Sequence, residues 1–145
     1  MDKRRSIEVS GVKHQNPIPA ASRKGPFVVS GAISGADSAT GKVPEDLDAQ
    51  CAQMFANVRR LIEAAGGTPD DIVKMTVWIT DRSLREIMNR HWVAMFPDPQ
   101  SRPALESYVV WARRNSQAAL ELMVHPQALV WAERNVARSL TGHAR

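Results

Sequence analysis

Glu121 stands in the run Leu120-Glu121-Leu122-Met123-Val124, a single carboxylate among apolar neighbours. A carboxyl buried in such a strand needs a partner or a raised pKa, and either condition suits it to general acid–base work. The structural alternative is an edge-strand glutamate facing water. Arg102 follows Pro97-Asp98-Pro99-Gln100-Ser101, a loop crowded with prolines. Its guanidinium could bind an anion through a planar fork of donors, or simply pair with Asp98 on the surface. His91 and His125 invite a metal reading, but no third ligand accompanies them at a recognised spacing. His91 also lies on an apolar helical stripe, so structural use is expected and no metal site is assigned. Cys51 shares the core face of its helix and reads as an inert buried thiol. Glycines 31, 35 and 41 form no phosphate-binding pattern, and turn roles suffice for them.

The elements that must position these groups follow from periodicity. Leu47, Cys51, Met54, Val58, Leu61, Ile62 and Ala65 recur at helical spacing, which predicts a helix over about 45–65. Pro44, Glu45 and Asp46 suit its first turn, and Gly66-Gly67 its end. After the turn at Pro69-Asp70-Asp71, Val73, Met75, Val77 and Ile79 alternate with Lys74, Thr76, Trp78 and Thr80, the pattern of a strand. Ser83 and Glu86 offer a capping box for a second helix. Its stripe is Leu84, Ile87, Met88, His91, Trp92, Met95 and Phe96, and Pro97 ends it. Shorter signals predict strands at 26–33, 104–111 and 119–125, with Arg113-Arg114-Asn115-Ser116 joining the last two. An N-terminal edge strand is expected at Ile7 to Val9. The order β, β, α, β, α, β, β is a mixed α/β pattern in which helices cover one sheet face. No repeat or linker divides the chain, so residues 1–145 are read as one domain, with 126–145 as a C-terminal extension. A sheet covered on one face only leaves the other to be buried by self-association.

Composition narrows the function classes. The 145 residues carry a formal charge of +4, but the basic residues are scattered in pairs without a long run. Arg59 and Arg60 read as a solvated helix face. One tyrosine and three phenylalanines are too few for a base-stacking platform, and Trp78, Trp92, Trp111 and Trp131 suit a core or an interface better. Nucleic acid is therefore not the expected partner. A single cysteine excludes an internal disulfide and fits a reducing compartment. Met1-Asp2-Lys3-Arg4-Arg5 is not followed by an apolar segment, so no signal peptide is read, and no stretch is long enough for a membrane span. A cytoplasmic location is expected.

Asp71-Ile72-Val73-Lys74-Met75-Thr76-Val77-Trp78-Ile79-Thr80-Asp81 resembles the "DIVKTTVFLTD" strand of the Rid family, also known as the YjgF or endoribonuclease L-PSP family. In the same order, Val29-Ser30-Gly31 resembles that family's "VSG", Thr40-Gly41-Lys42-Val43-Pro44 its "TGEVP", and Asn57 through Gly66 its "NVKAILEAAG". Asn89 and Phe96 continue the match, which covers about residues 14–125. The resemblance implies an α+β, chorismate-mutase-like subunit, with two helices packed on one face of a mixed sheet. It further implies a homotrimer with small-molecule clefts between subunits.

In catalytic members an arginine of a "P-A-R" motif clamps the substrate carboxylate. A glutamate of an "I-E-I-E" strand handles water or proton, and a tyrosine near the N-terminus lines the cleft. An enamine or imine is hydrolysed to a keto acid and ammonia without metal or organic cofactor. Carried over, Glu121 takes the acid–base place, Ser30 and Gly31 edge the cleft, and Ser107 falls two places after the clamp position. Pro103-Ala104 is followed by Leu105, however, and Asn16-Pro17-Ile18-Pro19 offers no phenol where the tyrosine is expected. Arg102, three residues before Leu105, is the nearest alternative clamp in sequence. Three functions stay open: an enamine or imine deaminase with altered substrate choice, a non-catalytic ligand-binding or regulatory trimer, and, less supported, an endoribonuclease.

Overall fold

In the computed structural model the stripe that begins at Leu47 forms helix α1, Leu47–Ala64. The structure describes residues 3–12, 16–109 and 123–125. Asp46 is the N-cap of α1, its Oδ2 accepting from the Ala49 amide at 2.7 Å, so Pro44 and Glu45 precede the helix instead of opening it. At the other end Gly66 adopts φ +84°, a conformation that carries almost no penalty for glycine alone. The Gly66 amide donates to Glu63 O and the Gly67 amide to Ile62 O, both at 2.9 Å, closing the helix in a Schellman pair. Arg23 adds a donor to the same end, from Nη1 to Ala65 O at 3.0 Å, where the helix dipole favours a cation.

The alternating segment forms β5, Lys74–Ile79, and the second stripe forms α2, Leu84–Met95. The expected capping box does not close, because Ser83 sits in a helical conformation and its side chain makes no cap bond. Asp81 serves instead, its Oδ1 accepting from the Ser83 amide at 2.7 Å and its carbonyl from Leu84. The chain then returns as β6, Ala104–Val109, which pairs in parallel with β5 from Lys74–Ala104 to Ile79–Val109. A parallel pair requires such a crossover, and α2 supplies it.

The α+β class follows the sequence reading, but the strands divide between two hydrogen-bonded sheets where one was expected. Strands β1 (Arg5–Ile7), β2 (Ala21–Lys24) and β3 (Phe27–Ser30) form an antiparallel sheet in that order. Strands β4 (Ile33–Ser34) and β7 (Met123–His125) join β5 and β6 in a mixed sheet of order β4-β7-β5-β6. The apolar run expected as one strand over 26–33 thus breaks after Ser30 and feeds both sheets.

One face of β5, made of Met75, Val77 and Ile79, is fully buried in a core with Met54, Val58, Leu61 and Ile62 of α1 and Met88 and Trp92 of α2. Full burial of such side chains is worth about 1.5–3 kcal/mol each, which outweighs any surface pair in the molecule. On the opposite face Lys74, which the register sets opposite Ala104, reaches diagonally to Glu106 at 3.0 Å. Among the described residues, no helix is long and apolar enough to cross a membrane.

Candidate functional site

Two stretches carry the expected binding residues, and the fold sets them far apart within one subunit. At the end of β3, Ser30 pairs with Ala21 and is only 4% exposed. The Gly31 amide then donates to Ala20 O at 2.9 Å before the chain turns into β4. The chain leaving β4 is held by Asn57 of α1, which is 2% exposed. Its Nδ2 donates to Ser34 O at 3.0 Å and Ala36 O at 2.8 Å, while its Oδ1 accepts from Gln53 at 3.0 Å. The amide therefore ties the end of β4 and the loop after it to a helix, a use that its place in the motif gave no way to foresee.

The second stretch is β6. Leu105, at the expected clamp position, is 36% exposed and stands opposite Met75. Ser107 stands opposite Val77 on that same helix-side face and accepts a hydrogen bond from Arg85 Nη2 at 2.6 Å. Arg85 lies in the first turn of α2 and was not singled out in the sequence, where it reads as one of several polar helix positions. Arg102 is exposed, and its Nε donates to Phe96 O at 3.0 Å, which fixes it against the C-terminal end of α2. Asp98, the surface partner weighed for it, accepts instead from the Gln100 amide at 2.9 Å. Glu121 lies outside the described residues, as do Trp111, Trp131, the Arg113–Ser116 link and the C-terminal extension.

Strands β4 and β6 are opposite edges of the four-stranded sheet, three strand spacings or about 14 Å apart. A single subunit therefore does not bring Gly31, which leads into β4, together with Leu105 and Ser107. A cavity of about 420 Å³ does open beside β4, lined by Gly11, Ser34, Thr40 and Asn57 among others. None of the described expected site residues lines it, and the Asn57 amide at its base is spent on the backbone.

The other titratable residues serve packing. His91 Nε2 meets Asp48 Oδ1 at 3.0 Å and its ring stacks on Phe55 at 6.1 Å, so it joins α2 to α1. Hydrogen bonds from Arg90 and then His91 hold the Asp48 carboxyl below the usual carboxylate range. Cys51 is fully buried, and burial, reinforced by the Asp48 charge, pushes its thiol up to about 12. A thiol so perturbed stays protonated and is a poor nucleophile.

The 2-iminobutanoate/2-iminopropanoate deaminase of Salmonella typhimurium is 33% identical over 98 residues, covering 68% of this chain and 77% of that protein. The match to the Escherichia coli protein of that name spans 65% of its length. Among solved structures, RidA from Psychrobacter sp. PAMC 21119 superposes with a TM-score of 0.74 at 26% identity, over 87% of this chain and 99% of that one. Escherichia coli TdcF with bound serine shares the fold, with a TM-score of 0.75 at 24% identity over 86% and 98% of the two chains. The model of the Endoribonuclease L-PSP family runs through residues 16–125, spanning both site stretches, β5 and the two helices, and by that match the chain belongs to this family, the Rid family.

Proposed function

We propose that this protein hydrolyses the imine or enamine form of a small amino-acid-derived metabolite to a keto acid and ammonia, in clefts between the subunits of a homotrimer. One observation carries the reading. The family match, over residues 16–125, takes in two site stretches that lie on opposite edges of one sheet, so a cleft using both needs a second subunit. The names of its relatives support the chemistry, since the Salmonella typhimurium protein is an imine deaminase and TdcF holds serine, itself a small amino acid.

Glu121 takes the acid–base role. It protonates the enamine carbon to give an iminium, then takes a proton from water as the water adds to the iminium carbon. Collapse of the carbinolamine expels ammonia and leaves the carbonyl, so one water is consumed and no cofactor takes part. The backbone at Ser30 and Gly31 edges the cleft and the side chain of Ser107 orients the substrate, while Leu105 gives the cleft an apolar wall and alters substrate choice.

The exposed Leu105 also favours a second reading, a binding trimer that keeps the cleft without the chemistry. Ammonia release from imines generated in situ by an amino-acid oxidase separates the two. The first reading expects the parent protein to accelerate release and Glu121→Gln to lose about 10²–10⁴-fold, with melting temperature unchanged. Sedimentation equilibrium should give three times 16.0 kDa for both proteins. Activity that survives Glu121→Gln rejects the assigned role, absence of parental activity selects the binding trimer, and a stable monomer removes the shared cleft.

A further inference from the structure

The geometry points to Arg85 as the residue that holds the substrate carboxylate, in place of the arginine missing at position 105. This rests on the reading of the β6 cleft given above and names the residue that completes it.

Leu105 and Ser107 are two apart on one strand, hence on one face and roughly 7 Å from each other along it. Arg85 reaches that face from α2, and its Nη2 lies 2.6 Å from Ser107 Oγ. A guanidinium is thus held within one side-chain step of the position where the family places one. It arrives from the neighbouring helix and not from the strand itself.

A guanidinium has five N–H donors, and the Ser107 bond uses one of them. The ion pairs found among the described residues are Lys74–Glu106, Arg90–Asp48 and His91–Asp48, so no described carboxylate neutralises Arg85. Arg85 is exposed as well, which leaves its remaining donors open to an incoming anion. Arg102 compares poorly, because a bond from its Nε to Phe96 O at 3.0 Å ties it to the end of α2, whereas Arg85 rests on a side chain of β6 itself.

Ser107 acts as a rest for the fork, limiting the rotamers that Arg85 would otherwise lose on binding. Leu105, partly exposed beside it, offers an apolar surface in place of a second charge. The ligand class that fits is a small 2-imino or 2-oxo acid with a short alkyl side chain, its carboxylate on Arg85 and its alkyl group against Leu105.

Binding of 2-oxobutanoate, the keto acid such hydrolysis would leave, is measured by calorimetry on the whole chain, with butanone as the analogue lacking a carboxylate. Arg85→Gln should weaken 2-oxobutanoate by about tenfold or more, as expected for loss of a charge-assisted contact. It should leave the melting temperature and the weak butanone response unchanged. Arg85→Lys should fall between the two, because a lysine keeps the charge and loses the fork. Adding Leu105→Arg to Arg85→Gln should restore affinity, since the new fork arises on the same face. Unchanged affinity in Arg85→Gln, or loss in Arg102→Gln alone, overturns the proposal. Because binding needs no turnover, loss of affinity in Arg85→Gln from a parent that releases no ammonia sustains Arg85 while deamination fails. A parent that deaminates imino acids with KM unchanged in Arg85→Gln sustains deamination while Arg85 fails. A parent that neither binds 2-oxobutanoate nor deaminates overturns both.

Discussion

At the end of β4 and just past it, beyond the expected site residues Ser30 and Gly31, the backbone is tied from beneath. Asn57 bonds two of its carbonyls, and Gly35 comes so close to α1 that an added Cβ would lie 2.2 Å from Gln50 O. Along β6 the reverse holds, because the strand is a sheet edge with Tyr108 51% exposed and Arg85 leaning on Ser107 from an exposed helix position. One side of the proposed cleft is therefore set by backbone geometry that tolerates little change. The other is set by side chains that can be exchanged at small cost in stability. That difference is what lets Leu105 stand at the proposed clamp position with little effect on the fold. On the proposed reading, recognition chemistry is free to move on the β6 side, whereas the backbone at and after β4 has almost no such latitude.

The contrast breaks most visibly at Asn57. Asn57→Ala leaves Ser34 O, Ala36 O and the Gln53 amide without their partner, at a cost of about 2–4 kcal/mol. In a domain of this length that lowers Tm by roughly 10 °C. Ser107→Ala should stay within about 0.5 kcal/mol, as surface substitutions usually do. Scanning calorimetry on the two variants checks both, and equal shifts would remove the distinction between rigid and adaptable sides.

A smaller loss is expected at Gly35. Gly35→Ala forces a methyl onto the Gln50 carbonyl and Cγ, 2.2 and 2.8 Å from the ideal position, so backbone must yield. Overpacking of this kind costs about 1–3 kcal/mol. The expected outcome is a lower urea midpoint with an unchanged slope. An unaffected midpoint would mean that the turn is not pressed against α1 in solution.

Much of the frame was legible because burial imposes a period. The stripes of α1 and α2 and the alternation of β5 lie where the spacing placed them, since Met54, Met75 and Met88 all face one core. Strand β2 was not legible, because Ala21-Ser22-Arg23-Lys24 has no alternation of apolar residues and is held by backbone pairing to β1 and β3. The break between β3 and β4 was hidden within a continuous apolar run. Ser30, Gly31, Leu105 and Ser107 could be named from motif order, but their separation to opposite sheet edges depends on topology. Arg85 was invisible because its partner Ser107 is 22 residues away in sequence and the contact arises only when α2 folds back over β6.

The smallest expected effect concerns how the adaptable side is fastened to the rigid one. Asp48 of α1 holds Arg90 and His91 of α2 at 2.8 and 3.0 Å, and those bonds, Arg90 first, lower its pKa from the ordinary value near 3.8. Because the folded pKa lies below the unfolded one, the contribution is fully present above about pH 4 and is lost as pH falls through the folded value. The carboxylate is exposed, so the change should register in local opening of α2 and only faintly in Tm. Hydrogen exchange measured down through pH 3 should show amides of α2 losing protection before those near Asn57. Asp48→Asn should bring that early loss to neutral pH and flatten its dependence on acid. If α2 and the Asn57 region instead lose protection together at every pH, the two sides open as one unit. The adaptability of β6 would then have to come from its own exposed side chains alone.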